Sequence, residues 1–118
     1  MLTSFLYIPT SEDKRLKKVM SLIHDSPGIN YTISEFAHLV NSSEKTLARL
    51  FIKETGMTFG KWREHVRLIY AIDQLTQGQS ITKTAIELGY TDTSSFTTLF
   101  TRALGLPPKK FMMKLNKQ

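Results

Sequence analysis

Apolar residues recur along this chain at helical spacing, in short runs separated by turn residues. Leu16, Val19, Met20 and Ile23 fall at i, i+3, i+4 and i+7, which places them on one helix face. Asp25-Ser26-Pro27-Gly28 ends that run, because Pro disfavours helix before it and Gly supplies a turn. Thr32-Ile33-Ser34-Glu35 reads as a capping box, with a short helix behind it carrying Phe36, Ala37, Leu39 and Val40. Asn41, a residue tolerant of the left-handed conformation, ends it. Ser43 then caps a third helix with Leu47, Leu50 and Phe51 on its apolar face, closed by Gly56. From Thr58 a longer helix runs through Trp62, Val66, Ile69 and Leu75 to Gly78. Strand patterning is thin after Pro9, so the expected class is all-α. Before it, Phe5, Leu6, Tyr7 and Ile8 read either as the tail of an upstream domain or as a packed or disordered arm.

The pattern repeats. After Ala37 come Asn41, Leu47, Leu50, Phe51, Gly56 and Trp62; after Ala85 come Gly89, Phe96, Leu99, Phe100, Gly105 and Phe111. Phe51 to Phe100, Gly56 to Gly105 and Trp62 to Phe111 are each 49 apart, whereas Ala37 to Ala85 is 48. One extra residue therefore falls in the second turn, where loops absorb insertions and packed helices do not.

Each copy has a small Ala on a short helix, a turn at Asn or Gly, and a second helix with a polar outer side. That is the pattern of a helix-turn-helix, whose second helix enters the DNA major groove. In the first copy, turning Leu47, Leu50 and Phe51 inward leaves Lys45, Thr46, Ala48, Arg49 and Lys53 on or near the outside. Lys45 and Arg49 are one turn apart on one face. Arg49 can grip guanine in bidentate fashion, and Ala48 or the Thr46 methyl can touch a thymine methyl. The competing reading is a solvated face with an ion pair such as Glu44 to Lys45 or Arg49 to Glu54. In the second copy, Thr91, Thr93, Ser94, Ser95, Thr97, Thr98 and Thr101 surround the apolar positions, Asp92 is the expected N-cap, and Arg102 is the only cation in that helix. Hydroxyls bond phosphates or any base edge and so discriminate poorly. The first copy is expected to carry sequence recognition and the second to grip backbone or read loosely.

Composition narrows the partners. The 118 residues suit one domain or two very small subdomains, and 41% hydrophobic residues suffice for a core. Sixteen Lys and Arg against ten Asp and Glu give a net charge of +6 and a pI near 9.7, favouring polyanions. With no cysteine, disulfides, Cys-based zinc sites and thiol chemistry are excluded. No apolar run approaches the ~18 residues of a membrane helix, and the start lacks the features of a signal peptide. A cytoplasmic location is expected. Three histidines, His24, His38 and His65, lack metal-ligand spacing, and no phosphate loop, nucleophile elbow or acid pair is present. Neither enzyme activity nor a cofactor or metal is expected. Arg63, Arg67, Lys83, Lys109 and Lys110 read as surface charges before phosphate contacts, and the run Lys14, Arg15, Lys17 and Lys18 as the polar face of the first helix. Trp62 and Phe111 read as core plugs.

Ser43-Glu-Lys-Thr-Leu-Ala-Arg-Leu-Phe51 with the following Lys-Glu-Thr-Gly-Met-Thr-Phe-Gly, and Ser80-Ile-Thr-Lys-Thr-Ala-Ile-Glu-Leu-Gly-Tyr90 with Asp92, Ser94, Phe96, Phe100 and Gly105 through Pro108, resemble the DNA-binding domain of AraC/XylS-family bacterial transcription regulators. The resemblance covers residues 13–112. It implies about seven helices in two helix-turn-helix subdomains: a tail over 1–12, a first subdomain over 13–57, a linker helix over 58–78, and a second subdomain with a C-terminal helix over 79–118. It puts base-facing positions at Lys45, Ala48 and Arg49 with Ser43 and Thr46 nearby, and at Thr93, Ser94 and Thr98 with Thr97 adjacent; Arg102 completes the candidate DNA-binding set. The implied partner is double-stranded DNA, read as an asymmetric site with half-sites about 10 bp apart; a stiff linker helix would then require bent DNA. RNA polymerase and an N-terminal effector-binding or dimerisation domain are further candidate partners, a stand-alone regulator being the other option. Two positions depart from the family pattern: Thr98 stands where a basic residue is usual, and Thr84 where an apolar one is. The alternative from another class is an all-helical protein-interaction module without groove readout.

Overall fold

The computed structural model describes residues 8–116. It contains seven helices: α1 (Lys14–Asp25), α2 (Ile33–Leu39), α3 (Glu44–Thr55), α4 (Phe59–Thr76), α5 (Ile81–Glu87), α6 (Thr93–Leu104) and α7 (Pro108–Asn116). No strand occurs among the described residues, so the fold is all-α as the periodicity predicts. Of the apolar run before Pro9, Phe5, Leu6 and Tyr7 lie outside the described residues. The chain divides into two compact units between Val66 and Arg67, within α4.

In the first unit, Asp13 starts α1 by accepting from the backbone N–H groups of Arg15 and Leu16 at 3.0 and 3.2 Å. These are helix-end donors with no partner inside the helix. The Arg15 guanidinium bonds the same carboxylate, and together they hold the Asp13 pKa below the usual aspartate value. Leu16, Val19, Met20 and Ile23 are buried as their spacing requires, against Phe36, Ala37, Leu47, Phe51, Trp62 and Val66. Fully burying side chains of this size contributes about 1.5–3 kcal/mol each, which outweighs the propensity of any one helix. The α2 capping box is present: Thr32 Oγ1 accepts from Glu35 N at 3.1 Å, and Glu35 Oε1 from Thr32 N at 3.0 Å. Ile8 packs against this core, and Pro9 is buried.

The second unit repeats the plan. Ser80 caps α5 through Lys83 N at 3.0 Å, and Asp92 caps α6 through Ser95 N at 3.1 Å. Its buried side chains include Leu68, Ala71, Ile72, Leu75, Ala85, Leu88, Phe96, Leu99 and Phe100. The Phe100 and Phe111 rings meet edge to face at 5.4 Å, but Phe111 is only half-buried, whereas Trp62, its counterpart in the repeat, is fully buried in the first unit. The fully buried Thr84 finds the partner its hydroxyl needs: it lies 2.8 Å from the Ser80 carbonyl oxygen and 2.9 Å from Gln79 Oε1.

The long helix departs from the simple pattern. A single apolar face through Trp62, Val66, Ile69 and Leu75 leaves out Leu68, Ala71 and Ile72, all buried, whereas Ile69 is half-buried. Leu68, Ala71, Ile72 and Leu75 form their own i, i+3, i+4, i+7 stripe, starting two residues after Val66. A helix shared between two units carries two stripes, and a single-phase reading blends them.

Candidate nucleic-acid interface

The two helix pairs have matching turns. In α2, the N–H of Ser42 bonds the Ala37 carbonyl at 2.9 Å, and Asn41 N bonds His38 O at 3.2 Å. In α5, Tyr90 N bonds Ala85 O at 3.1 Å, and Gly89 N bonds Ile86 O at 3.0 Å. Both close the helix by the same double bond through a left-handed residue, Asn41 at φ 54° and Gly89 at φ 85°. Ala37 and Ala85 are buried where α2 meets α3 and where α5 meets α6. The extra residue of the second copy falls in the turn: one residue separates Asn41 from the cap Ser43, and two separate Gly89 from the cap Asp92.

Burying Leu47 and Phe51 fixes the rotation of α3. Ser43, Lys45, Arg49 and Lys53 are exposed, while Thr46 and Ala48 are half-buried beside them. Neither Lys45 nor Arg49 makes a hydrogen bond or ion pair with any described residue. Glu54, the alternative partner for Arg49, accepts from the Ser11 hydroxyl at 2.8 Å instead. The face therefore presents two cations one turn apart with no internal anion to neutralise them. At the α3 N-terminus, Ser43 Oγ accepts from Thr46 N at 3.1 Å and lies 2.9 Å from Thr46 Oγ1, within hydrogen-bond distance.

On α6, burial of Phe96, Leu99 and Phe100 leaves Ser94, Thr98 and Arg102 exposed, with Thr93 and Thr97 half-buried. The offset of 49 pairs Lys45 with Ser94, Ala48 with Thr97 and Arg49 with Thr98. It also pairs Thr46 with Ser95, an exposed hydroxyl outside the candidate DNA-binding set. Each of the two sets is brought together on its own helix.

Five other cations are engaged elsewhere. Arg15 pairs with Asp13 at 3.2 Å, Lys17 with Glu12 at 3.8 Å and Lys61 with Glu64 at 3.7 Å. Arg63 stacks over the Phe59 ring at 4.4 Å and donates to the Tyr31 carbonyl, and Arg67 sits 5.7 Å from the Tyr90 ring centroid. These contacts use Arg63 and Arg67 as packing groups.

A helix-turn-helix domain family matches residues 36–114, two-thirds of the chain. The chain is 33% identical over 110 residues to the HTH-type transcriptional regulator NimR of Escherichia coli, covering 93% of this chain and 40% of NimR. Its fold matches an AraC-type transcriptional regulator structure from Chromobacterium violaceum, at 22% identity with a TM-score of 0.76, over 86% of this chain and 91% of that one. The chain belongs to the AraC/XylS family of helix-turn-helix regulators. The DNA-binding domain of AdpA, solved in complex with a target DNA, shares this AraC-type fold at 20% identity and a TM-score of 0.74, over 82% of this chain and 88% of that one. The chain spans about 40% of the length of NimR and 36% of the RhaR activator of Yersinia pseudotuberculosis, to which it is 27% identical over 87% of this chain. Among the described residues, no helix is long and apolar enough to cross a membrane.

Proposed function

We propose that this AraC-family chain binds double-stranded DNA sequence-specifically and regulates transcription, with α3 as the principal reading helix and α6 as a second, looser one. The observation that carries this reading is the exposed, unpaired Lys45 and Arg49 on α3, the helix that follows the left-handed turn at Asn41. Family membership supports the polyanion as DNA, and the hydroxyl-rich face of α6 supports the weaker role for the second unit. The site residues are Ser43, Lys45, Thr46, Ala48 and Arg49 on one helix and Thr93, Ser94, Thr97, Thr98 and Arg102 on the other. Arg49 is assigned to guanine, and Ala48 with the Thr46 methyl to thymine methyl. The hydroxyls of α6 are assigned to phosphates and unselective base contacts.

The operator is read as an asymmetric site, with the two helices in successive major-groove segments and half-sites about 10 bp apart. The reading extends to a cytoplasmic, non-enzymatic regulator whose whole chain adds an N-terminal effector-binding or dimerisation domain and contacts RNA polymerase. Binding to a duplex measured across salt concentrations tests the core of it. Phosphate neutralisation makes log affinity fall linearly with log salt, by about 0.9 per phosphate contacted. A slope near zero marks an apolar protein-interaction module instead.

A further inference from the structure

Ile52 is 54% exposed, more than any other large apolar side chain described in the first unit. It belongs neither to the first core nor to the partly buried side chains packed against it. A β-branched residue is also a poor choice for an exposed helix position on propensity alone. Its place on α3 is particular. Lys45, Ala48, Arg49 and Ile52 stand at i, i+3, i+4 and i+7, so they share one stripe of the helix. A helix turns roughly 100° and rises about 1.5 Å per residue, so Ile52 lies roughly 20° around the axis from Lys45 and about 10 Å further along it. Burial of Leu47 and Phe51 turns the stripe outward, with Lys45, Arg49 and Ile52 exposed and Ala48 half-buried. A recognition helix lying in the major groove can read through four positions at this spacing. Lys45, Ala48 and Arg49 are three of them, and Ile52 is the fourth.

We infer that Ile52 is a further specificity-determining residue of α3, and that it reads the C5-methyl group of a thymine. This rests on the DNA-reading role of α3 proposed above and adds a reading position outside the set named there. The chemistry of the groove selects the occupant. Base edges in the major groove carry hydrogen-bond donors and acceptors and one apolar group, the thymine methyl. The isoleucine side chain has neither donor nor acceptor. Over the polar edge of guanine, adenine or cytosine it displaces water from atoms whose hydrogen bonds it cannot replace, which costs free energy. Over a thymine methyl, apolar surface leaves water on both sides, which is favourable. The second unit supplies the contrast. The offset of 49 places Ser94, Thr97, Thr98 and Thr101 on the equivalent stripe of α6, a hydroxyl at every position. The aliphatic group at the far end of the stripe is therefore found on α3 and not on α6, in line with the sharper reading assigned to the first unit.

The test is a cycle between wild type and Ile52→Ala on a library-selected duplex, with each thymine of the enriched site replaced in turn by deoxyuridine. That replacement removes the methyl and keeps every donor and acceptor of the base pair. Ile52 is exposed and alanine is a strong helix former, so thermal melting of Ile52→Ala is expected to match wild type. At one thymine, deoxyuridine is expected to lower wild-type affinity by about 3- to 5-fold, the change that burying one methyl group gives. Ile52→Ala is expected to lose a similar factor on the thymine duplex and to be indifferent to deoxyuridine at that one position. Methyl contacts made by Ala48 or Thr46 fall at other thymines and persist in Ile52→Ala. The inference is overturned when the selected site holds no thymine, when Ile52→Ala binds the thymine duplex within 1.5-fold of wild type, or when it weakens thymine and deoxyuridine duplexes equally at every position, which marks a sugar or backbone contact. Failure of the wild type to bind duplex DNA in a salt-dependent way rejects the DNA reading of α3 and the role of Ile52 with it. A wild type that reads DNA with Ile52 uncoupled from every thymine methyl rejects this inference alone.

Discussion

The indole N–H of Trp62 donates to the backbone carbonyl of Pro9 at 2.9 Å, across 53 residues, with Trp62 fully buried. This bond anchors the segment ahead of α1 to the centre of the first core, where Trp62 also packs against Phe51 and His24. Trp62→Phe leaves the Pro9 carbonyl without its donor and opens space around a smaller ring. Losing a buried partner costs about 1–3 kcal/mol before any cavity cost. Urea unfolding is expected to show a lower midpoint with little change in slope, and an unchanged midpoint would contradict the anchoring role.

Asn41 and Gly89 take the same left-handed turn with different side chains. Asn41→Gly is expected to be neutral or slightly stabilising, because it relieves a conformation that L-residues adopt reluctantly. Gly89→Val forces a β-branched residue to φ 85° and is expected to cost about 1–2 kcal/mol or more. Thermal denaturation of the two variants checks the pair, and equal destabilisation would show that the turns are not equivalent.

Thr84 stands where the family pattern has an apolar residue, and the structure resolves the departure with two local acceptors. Thr84→Val keeps the shape. The Ser80 carbonyl it releases still accepts the α5 backbone bond from Thr84 N at 3.0 Å, and Gln79 is only half-buried. Stability is therefore expected to change by less than about 1 kcal/mol, whereas Thr84→Ala, which opens a cavity, is expected to lose more. Chemical denaturation of both variants separates shape from hydrogen bonding.

The Asp13 carboxylate is bonded by Arg15 and by two backbone N–H groups, and its folded pKa lies below the ordinary aspartate value. A lowered folded pKa means the contribution is fully present above the unfolded pKa and is lost as pH falls through the folded one. Asp13→Asn keeps a capping oxygen but removes the charge. Its melting temperature is expected to lie below that of wild type at neutral pH, and the gap to close as pH drops below the aspartate range. A gap that stays constant with pH would exclude the charge as its source.

Much of this architecture is legible in the sequence because it is written locally. The caps at Thr32, Ser43 and Asp92 and the turns at Asn41 and Gly89 depend on residues within a few positions of each other. The repeat places the helix pairs in register and even locates the extra residue in the turn. What escapes is set by contacts distant in sequence. Nothing near Pro9 announces that its carbonyl meets Trp62, or that Ser11 reaches Glu54. Ile69 reads as core because a single helical phase is assumed, whereas α4 serves two units with two stripes. At the candidate interface, exposure of Lys45 and Arg49 follows from the burial of Leu47 and Phe51 and could be read in advance. The 2.9 Å approach of the Ser43 and Thr46 hydroxyls could not, since it depends on the rotamers of two side chains.

The most direct measurement is selection from a randomised duplex library at near-physiological salt, on wild type, Arg49→Ala and Thr98→Ala in parallel. Wild type is expected to enrich one sharply defined block with a more degenerate one about one helical turn away. Arg49→Ala should lose the preference at a single base in the sharp block by about 5- to 100-fold, as expected for a broken bidentate contact. Thr98→Ala should weaken retention with little change in the sequences retained. Equal loss of specificity from both variants would contradict the division of labour between α3 and α6. The absence of any enriched sequence, together with binding insensitive to salt, would contradict DNA reading by this chain altogether.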